Sequence, residues 1–230
     1  MRKRKLVIAA ESLGGAEAAL AFCSAVLDWT PAKPTGLIIE PDDSNLWTNS
    51  GQIVSATGAV LTIPPFERLR RVAKSDAKAL DARLASLAIA YDTEWTCEAI
   101  EGELVTQACA SIAGDDILLL GQRPITPRPG KVLLIEPNDE PSEASIGLAG
   151  ALAQASATSI SLMRQQEGSD KDDLVARVDQ SHVGAVVVDL DAGPIHGESD
   201  LRRLFAAARC PVAVLGASRL RRRKTEETLE

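Results

Sequence analysis

The sequence predicts an α/β protein with two tandem doubly wound parallel sheets, of which the second is truncated. Two short apolar runs, Lys5–Glu11 and Lys131–Pro137, each carry an acidic residue near the end and precede a pattern of small residues typical of a helix. Each half later reaches another buried-looking run, at 116–121 and at 184–189. Aromatic residues make up only 3% of the chain, and an aliphatic core suits parallel strands, which are buried on both faces. In such folds, ligands bind beyond the carboxyl ends of the strands.

The first elements predict a βαβ unit. The apolar run 5–11 is predicted as a strand, and the Ala- and Leu-rich stretch 15–28 as a helix. Pro31 and Pro34 mark the turn that follows, and the run 36–40 is the second strand. The crossover in such a unit is right-handed and makes the two strands parallel.

A long irregular segment separates this unit from the next helix. Residues 41–65 are polar and contain two small apolar islands, and loops of this length are usually functional or mobile. We interpret the segment as a flexible cover over the first half, with a plain insertion as the alternative. Trp47 is the residue within it that we expect to contact a ligand or partner, unless it only anchors the loop.

The clearest helix follows. Apolar residues recur at steps of three and four between Phe66 and Ala90, which predicts an amphipathic helix packed on the core. Three further elements complete the first half: a strand at 93–100, a short helix at 104–112 and a buried strand at 116–120.

The second half begins after a linker, 125–130, that Pro127 and Pro129 stiffen. We predict strands at 131–136, 158–163, 184–188 and 211–215, and helices at 142–155, 171–180 and 199–208, the last capped by Ser199 and Asp200. The predicted divisions are therefore a first domain at 1–124, the linker, a second domain at 131–218 and a charged tail at 219–230.

Composition and charge exclude several classes of protein. The formal net charge is −7, whereas a nucleic-acid-binding domain usually carries a basic face. Basic residues gather at 2–5 and 219–224, which we interpret as solvated tails, with a weak phosphate or membrane-surface contact as the alternative. No segment reaches the roughly 18 apolar residues of a membrane span.

The cysteines and the amino terminus point to a reducing compartment. None of the four cysteines forms a CxxC pair or lies near a histidine, so no metal site is predicted. Glu11 and Glu17 interrupt the apolar stretch after the basic start, which argues against a signal peptide. We predict a cytoplasmic protein with free thiols.

Several segments of the two halves together form a pattern. In the first half they are strand 5–11, Gly36–Glu40, Glu101–Leu104 and Asp115–Gly121. In the second half it is Ser199–Leu215, where Cys-Pro-Val follows a short helix and begins the closing strand. In this order the segments resemble the universal stress protein family. The resemblance covers about residues 5–216. The order of the two halves is similar to that of tandem, divergent bacterial members of the family. The resemblance implies a doubly wound parallel sheet of the adenine nucleotide alpha hydrolase type.

The resemblance also implies where a nucleotide would bind. In members that bind ATP, an acidic residue closing the first strand holds the nucleoside, and a loop patterned G-x2-G-x9-G-[ST] cradles the phosphates. This chain departs from that pattern in both halves. Gly121 is followed by prolines, which have no amide hydrogen to donate, and Glu198 stands where the family has a glycine before its Ser/Thr. The shortened loop Asp189–Gly197 carries two aspartates, which would repel phosphates.

The candidate ligand-binding residues are Glu11, Ser12, Ile39, Gly121, Arg123 and Ser199. Glu11 and Ser12 end the first strand, with a helix-capping pair as the alternative interpretation. Arg123 could meet a phosphate beside Gly121, with a solvated loop charge as the alternative. Ser199 falls at the family's Ser/Thr position, and Glu136 occupies in the second half the place that Glu11 has in the first.

The sequence therefore predicts a non-enzymatic stress-response or regulatory protein that acts by binding a partner or small ligand. It has an eroded nucleotide site and no cofactor. The alternative is a protein that binds ATP or AMP in its first half, either as a binding protein only or as a slow ATPase. A third possibility is an enzyme built on His196 and Ser199. The family often dimerises through its last strand, so we expect Pro211–Leu215 to pair across two chains as an exposed edge, or the two halves to pack as an internal pseudo-dimer.

Overall fold

The computed structural model describes residues 3–40, 52–54, 60–62, 66–123, 130–136, 141–165 and 171–220. The strands are β1 (Lys5–Ala10), β2 (Lys33–Glu40), β3 (Gln52–Val54), β4 (Val60–Thr62), β5 (Thr96–Glu101), β6 (Ile117–Gly121), β7 (Lys131–Glu136), β8 (Ile160–Arg164), β9 (Val183–Asp189) and β10 (Val212–Leu215). The helices are α1 (Leu13–Leu20), α2 (Cys23–Trp29), α3 (Phe66–Ala90), α4 (Leu104–Ser111), α5 (Glu143–Ala155), α6 (Lys171–Asp179) and α7 (Glu198–Ala208).

One eight-stranded sheet joins the two halves of the chain. Its order is β5-β2-β1-β6-β10-β9-β7-β8, and each neighbouring pair is parallel except β6 and β10, which are antiparallel. That junction pairs Val212 with Leu120 and Val214 with Leu118. Because the junction is antiparallel, the carboxyl ends of the first-half strands lie at one end of the strand direction, and the carboxyl ends of the second-half strands lie at the opposite end.

Helices cover both faces of the sheet. Buried side chains of α1, α2, α3 and α5 form a core on one face, and those of α4, α6 and α7 form a core on the other. Alternate residues of each strand enter the two cores: in β7, Val132 and Leu134 enter the first and Leu133 and Ile135 the second. The eight strands are therefore the middle layer of a three-layer α/β/α arrangement, consistent with a Rossmann-like fold.

The last strand corrects a prediction. We expected Pro211–Leu215 to be an exposed edge, but β10 is paired on both sides, with β6 and with β9. Its backbone groups are used within the chain, so pairing of this strand across two chains is wrong. The edges of the sheet are β5 and β8.

Two boundaries in the first half also differ from the prediction. The single helix at 15–28 is two helices, and the break at Ala21 and Phe22 places the Phe22 ring in the core, where it is 9% exposed. Pro34 lies inside β2 rather than in a turn. The Lys33 amide donates to the Arg4 carbonyl on the β1 side, so the backbone of Pro34 faces β5. The pairing with β5 begins only at Thr35, so the missing N–H of Pro34 leaves no ladder bond unmade.

The remaining elements follow the prediction within a few residues, and α3 and β7 have the predicted limits. The apolar islands of 41–65 pair as the antiparallel hairpin of β3 and β4. Trp47, nearly all of the linker 125–130 and the tail from 221 lie outside the described residues. Among the described helices, none combines the length and the apolar character that a membrane crossing needs.

Candidate functional site

The strand ends of the first half bring four predicted site residues together. The chain leaves β1 for β2 on one side, while β6 lies on its other side, and ligands in α/β sheets bind at such a reversal. The register pairs Ala10 with Gly121, so Glu11 and Ser12 lie across from the residues that follow Gly121, among them Arg123. The side chain of Glu11 is exposed.

A backbone contact closes the gap between α1 and β6. A Cβ atom placed on Gly121 would lie 2.4 Å from the carbonyl oxygen of Gly15, and one placed on Gly15 would lie 2.8 Å from the carbonyl oxygen of Gly121. No real side chain fits at these distances, so both positions require glycine. These glycines pack a helix directly against a strand, which leaves no room between them for a phosphate.

The start of α1 is already capped by the protein's own oxygens. The Leu13 amide donates to a carboxylate oxygen of Asp76 at 2.8 Å, and the Gly15 amide donates to the Ser12 hydroxyl at 3.3 Å. Amides at a helix N-terminus are the groups that bind phosphates in nucleotide sites. A carboxylate from α3 occupies this place, and Ser12 has the capping role that was the alternative interpretation of it.

Two polar side chains remain beside this helix start. A Cβ atom on Gly14 would lie 3.4 Å from Cδ of Arg123, so the Arg123 side chain passes close to the first turn of α1. The side-chain oxygen of Gln122 is buried and has no hydrogen-bond partner among the described residues. Of these two groups, the Arg123 guanidinium can meet an anion, whereas the Gln122 oxygen is an acceptor and cannot donate to one.

The outer strand ends of the first half carry paired carboxylates. Glu40 and Glu101 are neighbours in the register of β2 and β5, and Glu40 is 4% exposed. Arg70 from α3 lies 3.0 Å from Glu40 and 3.2 Å from Glu101. Its hydrogen bond to Glu40 is the main cause of its raised pKa. The Arg70 charge is therefore used to hold α3 over these strand ends.

The second half places carboxylates at its own strand ends. Glu136 at the end of β7 is 2% exposed and forms an ion pair with Arg164 of β8. Asp189 at the end of β9 is 7% exposed. It accepts a hydrogen bond from the Ser142 hydroxyl at 2.9 Å and another from the Asp191 amide at 2.9 Å.

Serines connect this carboxylate to the start of α5. The Ser142 hydroxyl caps the helix by accepting from the Ser145 amide at 3.1 Å while donating to Asp189. The Ser145 side chain is 1% exposed and donates to the Ser142 carbonyl at 2.9 Å. A phosphate here would meet a buried negative charge and a capped helix start, which disfavours binding.

Two predicted site residues lie elsewhere. The Ile39 side chain is 3% exposed and packs in the core on the α4 face. Ser199 lies in the first turn of α7, whose N-cap is Gly197, so the predicted cap of Ser199 and Asp200 is wrong. α7 packs on the face of the sheet opposite to α1, which separates Ser199 from the group around Gly121.

The start of α7 makes polar contacts, and those with α4 join the two halves. Glu198 accepts from the Thr106 hydroxyl at 3.2 Å, and Asp200 accepts from the His196 amide at 3.4 Å. Arg202 donates to Glu103, the N-cap of α4, at 3.0 Å. The acidic residues around His196 therefore hold α7 in place.

Thiol and metal chemistry find little support among the described residues. All four cysteines are free, and three are buried. Burial raises the pKa of Cys23 and of Cys210 to about 12, so neither is a nucleophile near neutral pH. Within the described ranges, His, Cys, Asp and Glu side chains form no group of three that could hold a metal ion.

Asp76 is a residue that sequence reasoning missed. It lies on the polar edge of the apolar stripe of α3, between the buried Ala73 and the half-buried Ala77. An acid bordering a buried stripe is the signal that could have marked it, although its partner, Leu13, is 63 residues away. Ser142 was also missed, because its partner, Asp189, is 47 residues away.

The chain matches no protein-family model, and no curated protein is found to be similar to it.

Proposed function

We propose that this protein acts without catalysis, by binding a partner or a small ligand, in the manner of a universal stress protein whose nucleotide sites are eroded. The observation that carries the proposal is the 2.8 Å hydrogen bond from the Leu13 amide to the Asp76 carboxylate. It puts a negative charge where a nucleotide phosphate would need a donor. The resemblance of the sequence to that family supports the regulatory role.

The second half supports the proposal independently. Asp189 stands at the strand end that corresponds to Gly121, and it is bound to the helix start by Ser142. A phosphate brought close to a carboxylate is repelled, and the repulsion is stronger in a buried place than in water. Among the residues that the structure describes, neither half therefore offers a free set of amide donors of the kind that binds a triphosphate.

The described surface supports a role in partner binding. Five large aliphatic side chains are more than a third exposed, namely Val72, Ile89, Ile146, Ile160 and Leu162. Three of them belong to α5 and β8 of the second half. Exposed apolar side chains that lie near one another are typical of protein interaction sites.

Titration calorimetry with ATP, ADP and AMP at millimolar concentration tests the eroded sites. We expect no saturable heat with the wild-type protein. Asp76→Asn keeps the size of the side chain but removes its charge, and we expect it to raise the affinity for AMP or ATP. Ser75→Ala, an exposed neighbour on α3, is the matched control and should change nothing.

A specific observation favours a second candidate, adenine-nucleotide binding in the first half. Arg123 lies beside Gly14 at the start of α1, and a guanidinium at a helix start attracts phosphate. Submicromolar to micromolar binding of ATP by the wild-type protein, weakened by Arg123→Ala or Glu11→Ala, would establish this candidate and refute the eroded-site proposal.

A further inference from the structure

A cavity lies between α2 of the first half and α5 of the second, apart from the strand ends described above. Its volume is about 560 Å³, which is within the range of small-ligand sites. Each half supplies one wall, and ligand sites are frequent where two structural units meet. The residues that define the chemistry of the cavity are Ser24, Asp28, Trp29, Gly147, Ala151 and Gln154.

The packing of α2 on α5 explains why this space is present. The Trp29 ring lies against Gly147 so closely that a Cβ atom on that glycine would be 2.6 Å from Nε1 of the indole. The ring therefore sets how closely the two helices approach at this point. The facing residues Ala25, Ala151 and Ala155 have side chains too short to fill the gap that remains beside a tryptophan.

The charge of the cavity is negative. Asp28 is the only charged residue among the described residues that line it, and its side chain is exposed. Arg4 comes near, since it donates to the Thr30 hydroxyl at 2.8 Å, but its charge is paired with Asp115. The described lining therefore carries one carboxylate and no cation, a field that attracts a positively charged ligand.

A hydrogen bond fixes the Asp28 carboxylate and leaves half of it available. The Tyr91 hydroxyl lies 2.9 Å from Oδ1 of Asp28 and 3.1 Å from the Ser24 carbonyl oxygen. Both atoms are acceptors, so the single hydrogen of the hydroxyl is directed at this pair. No donor of the described residues reaches Oδ2 of Asp28. An N–H group of a ligand can therefore bind Oδ2 without displacing Tyr91.

The other walls of the cavity suit an ammonium group on an apolar skeleton. Ser24 and Gln154 each have a side-chain oxygen that accepts hydrogen bonds, and with Asp28 they offer acceptors to the N–H groups of an ammonium. Tryptophan is the aromatic residue that attracts cations most strongly, and Trp29 is half-buried here. The alanines of both helices provide apolar surface for the carbon atoms of the ligand.

We propose that the cavity between α2 and α5 binds a small organic amine in its ammonium form. The ammonium meets Asp28, and the apolar part of the amine lies against the Trp29 ring and the alanines. The inference deepens the proposed function and rests on it, because it names the class of small ligand that a non-catalytic binding protein would take. Such a ligand contacts α2 and α5 together and so joins the two halves.

Titration with phenethylamine at pH 7, where its amine is charged, tests the proposal. The chain has three tryptophans, so the indole N–H signals in a proton–nitrogen correlation spectrum are few, and Trp29→Phe identifies the one from Trp29. We expect phenethylamine to shift that signal with a dissociation constant of roughly 1 mM. Phenethyl alcohol has the same size without the charge, and we expect it to bind roughly fivefold more weakly or less.

Variants separate the charge from the space. Asp28→Asn keeps an oxygen for Tyr91 but removes the charge, so we expect a roughly fivefold loss of affinity for phenethylamine and none for the alcohol. Glu98→Gln removes the same charge at an exposed glutamate of β5 and should bind as the wild type does. Ala151→Leu fills the cavity and should weaken both ligands, whereas Ala82→Leu, at an exposed alanine of α3, should weaken neither.

Three results would overturn the amine site. They are no shift of the Trp29 indole signal up to about 10 mM phenethylamine, equal affinity for the amine and the alcohol, and equal affinity of the wild type and Asp28→Asn for the amine. The two ligands are compared on the wild type, so that test does not depend on the folding of any variant, and circular dichroism checks the variants. Nucleotide binding by the wild type would refute the eroded sites whatever the amine does, so the two proposals fail separately.

Discussion

The starts of α1 and α5 are held against the neighbouring strand ends in different ways. In the first half, Gly15 and Gly121 bring a helix and a strand into backbone contact. In the second half, the corresponding residues are Ser145 and Asp189, and Ser142 joins the helix start to the strand end through side-chain hydrogen bonds. Both arrangements fix the helix on the sheet, and both use the groups that could otherwise bind a ligand.

The difference teaches that a glycine at a strand end does not by itself indicate a phosphate site. Glycine suits a phosphate loop because the backbone can approach a ligand closely. At Gly121 that closeness is used by another part of the same backbone. Where the second half has room for side chains instead, it fills the space with a buried carboxylate and two hydroxyls.

Gly121→Ala is the strongest way to break this comparison. The added methyl would lie 2.4 Å from the Gly15 carbonyl oxygen, so helix and strand must separate. We expect the free energy of unfolding to fall by about 3 kcal/mol, the upper range for an overpacked site. Urea denaturation followed by circular dichroism measures the loss.

Gly150→Ala is the control for Gly121→Ala. It lies within α5, and its added methyl meets nothing within 4 Å. Alanine is a better helix former than glycine, so we expect a gain of up to about 1 kcal/mol. Equal losses in the two variants would mean that the Gly15–Gly121 contact is not the reason for glycine at 121.

Substitution of the two N-cap serines tests the comparison with losses of stability of intermediate size. Ser142→Ala removes a cap and also a donor to the buried Asp189, so we expect a loss of about 2 kcal/mol, typical of a hydrogen bond to a charged group. Ser12→Ala removes only a 3.3 Å bond to the Gly15 amide, so we expect a loss below about 1 kcal/mol. Thermal and urea unfolding of the two variants measure the gap.

The role of Asp189 can be separated from capping by a double-mutant cycle. Asp189→Asn leaves one carbonyl oxygen in place of two carboxylate oxygens, so it cannot accept from both Ser142 and Asp191. We expect the losses from Ser142→Ala and Asp189→Asn to couple by roughly 1 kcal/mol. Additive losses, or equal costs for Ser12→Ala and Ser142→Ala, would contradict the side-chain account of the second half.

Periodicity predicted the individual elements because it depends on neighbouring residues. The limits of α3 follow from an apolar stripe of seven turns, and those of β7 from an uninterrupted apolar run. The position of β10 between β6 and β9 depends on residues about 90 positions apart, such as Val212 and Leu120. No local pattern contains that pairing, so a strand that forms the centre of the sheet was predicted at its edge.

The roles of the candidate site residues follow the same rule: a local role was predictable from the sequence, and a role that depends on a distant partner was not. Ser12 was recognisable as a possible cap from its place before a helix, and the structure places it there. Asp76 and Ser142 act through partners 63 and 47 residues away, so their roles depend on how the helices pack. Ser199 was predicted because it falls at the family's Ser/Thr position, but that position does not show which face of the sheet carries α7.

The smallest expected change in the free energy of unfolding concerns a contact between the halves that depends on charge rather than on packing. Glu103 caps α4 and accepts from Arg202 of α7 at 3.0 Å. Partial burial opposes its ionisation, but hydrogen bonds from Arg202 and from the Thr106 and Val105 amides outweigh it and lower the pKa of Glu103 to about 2. Because the folded-state pKa lies below the unfolded one, the stabilisation is complete above pH 4.5 and is lost as the pH falls toward 2.

The measurement is the difference in unfolding free energy between the wild type and Glu103→Gln at pH 7 and at pH 3.5. The Glu103 side chain is 36% exposed, so solvent screens the pair, and we expect a difference below about 1 kcal/mol at pH 7 that shrinks at pH 3.5. Glu98→Gln, at an exposed glutamate on β5, is the control. A difference independent of pH would mean that α4 and α7 are held by packing, as α1 and β6 are, and not by charge.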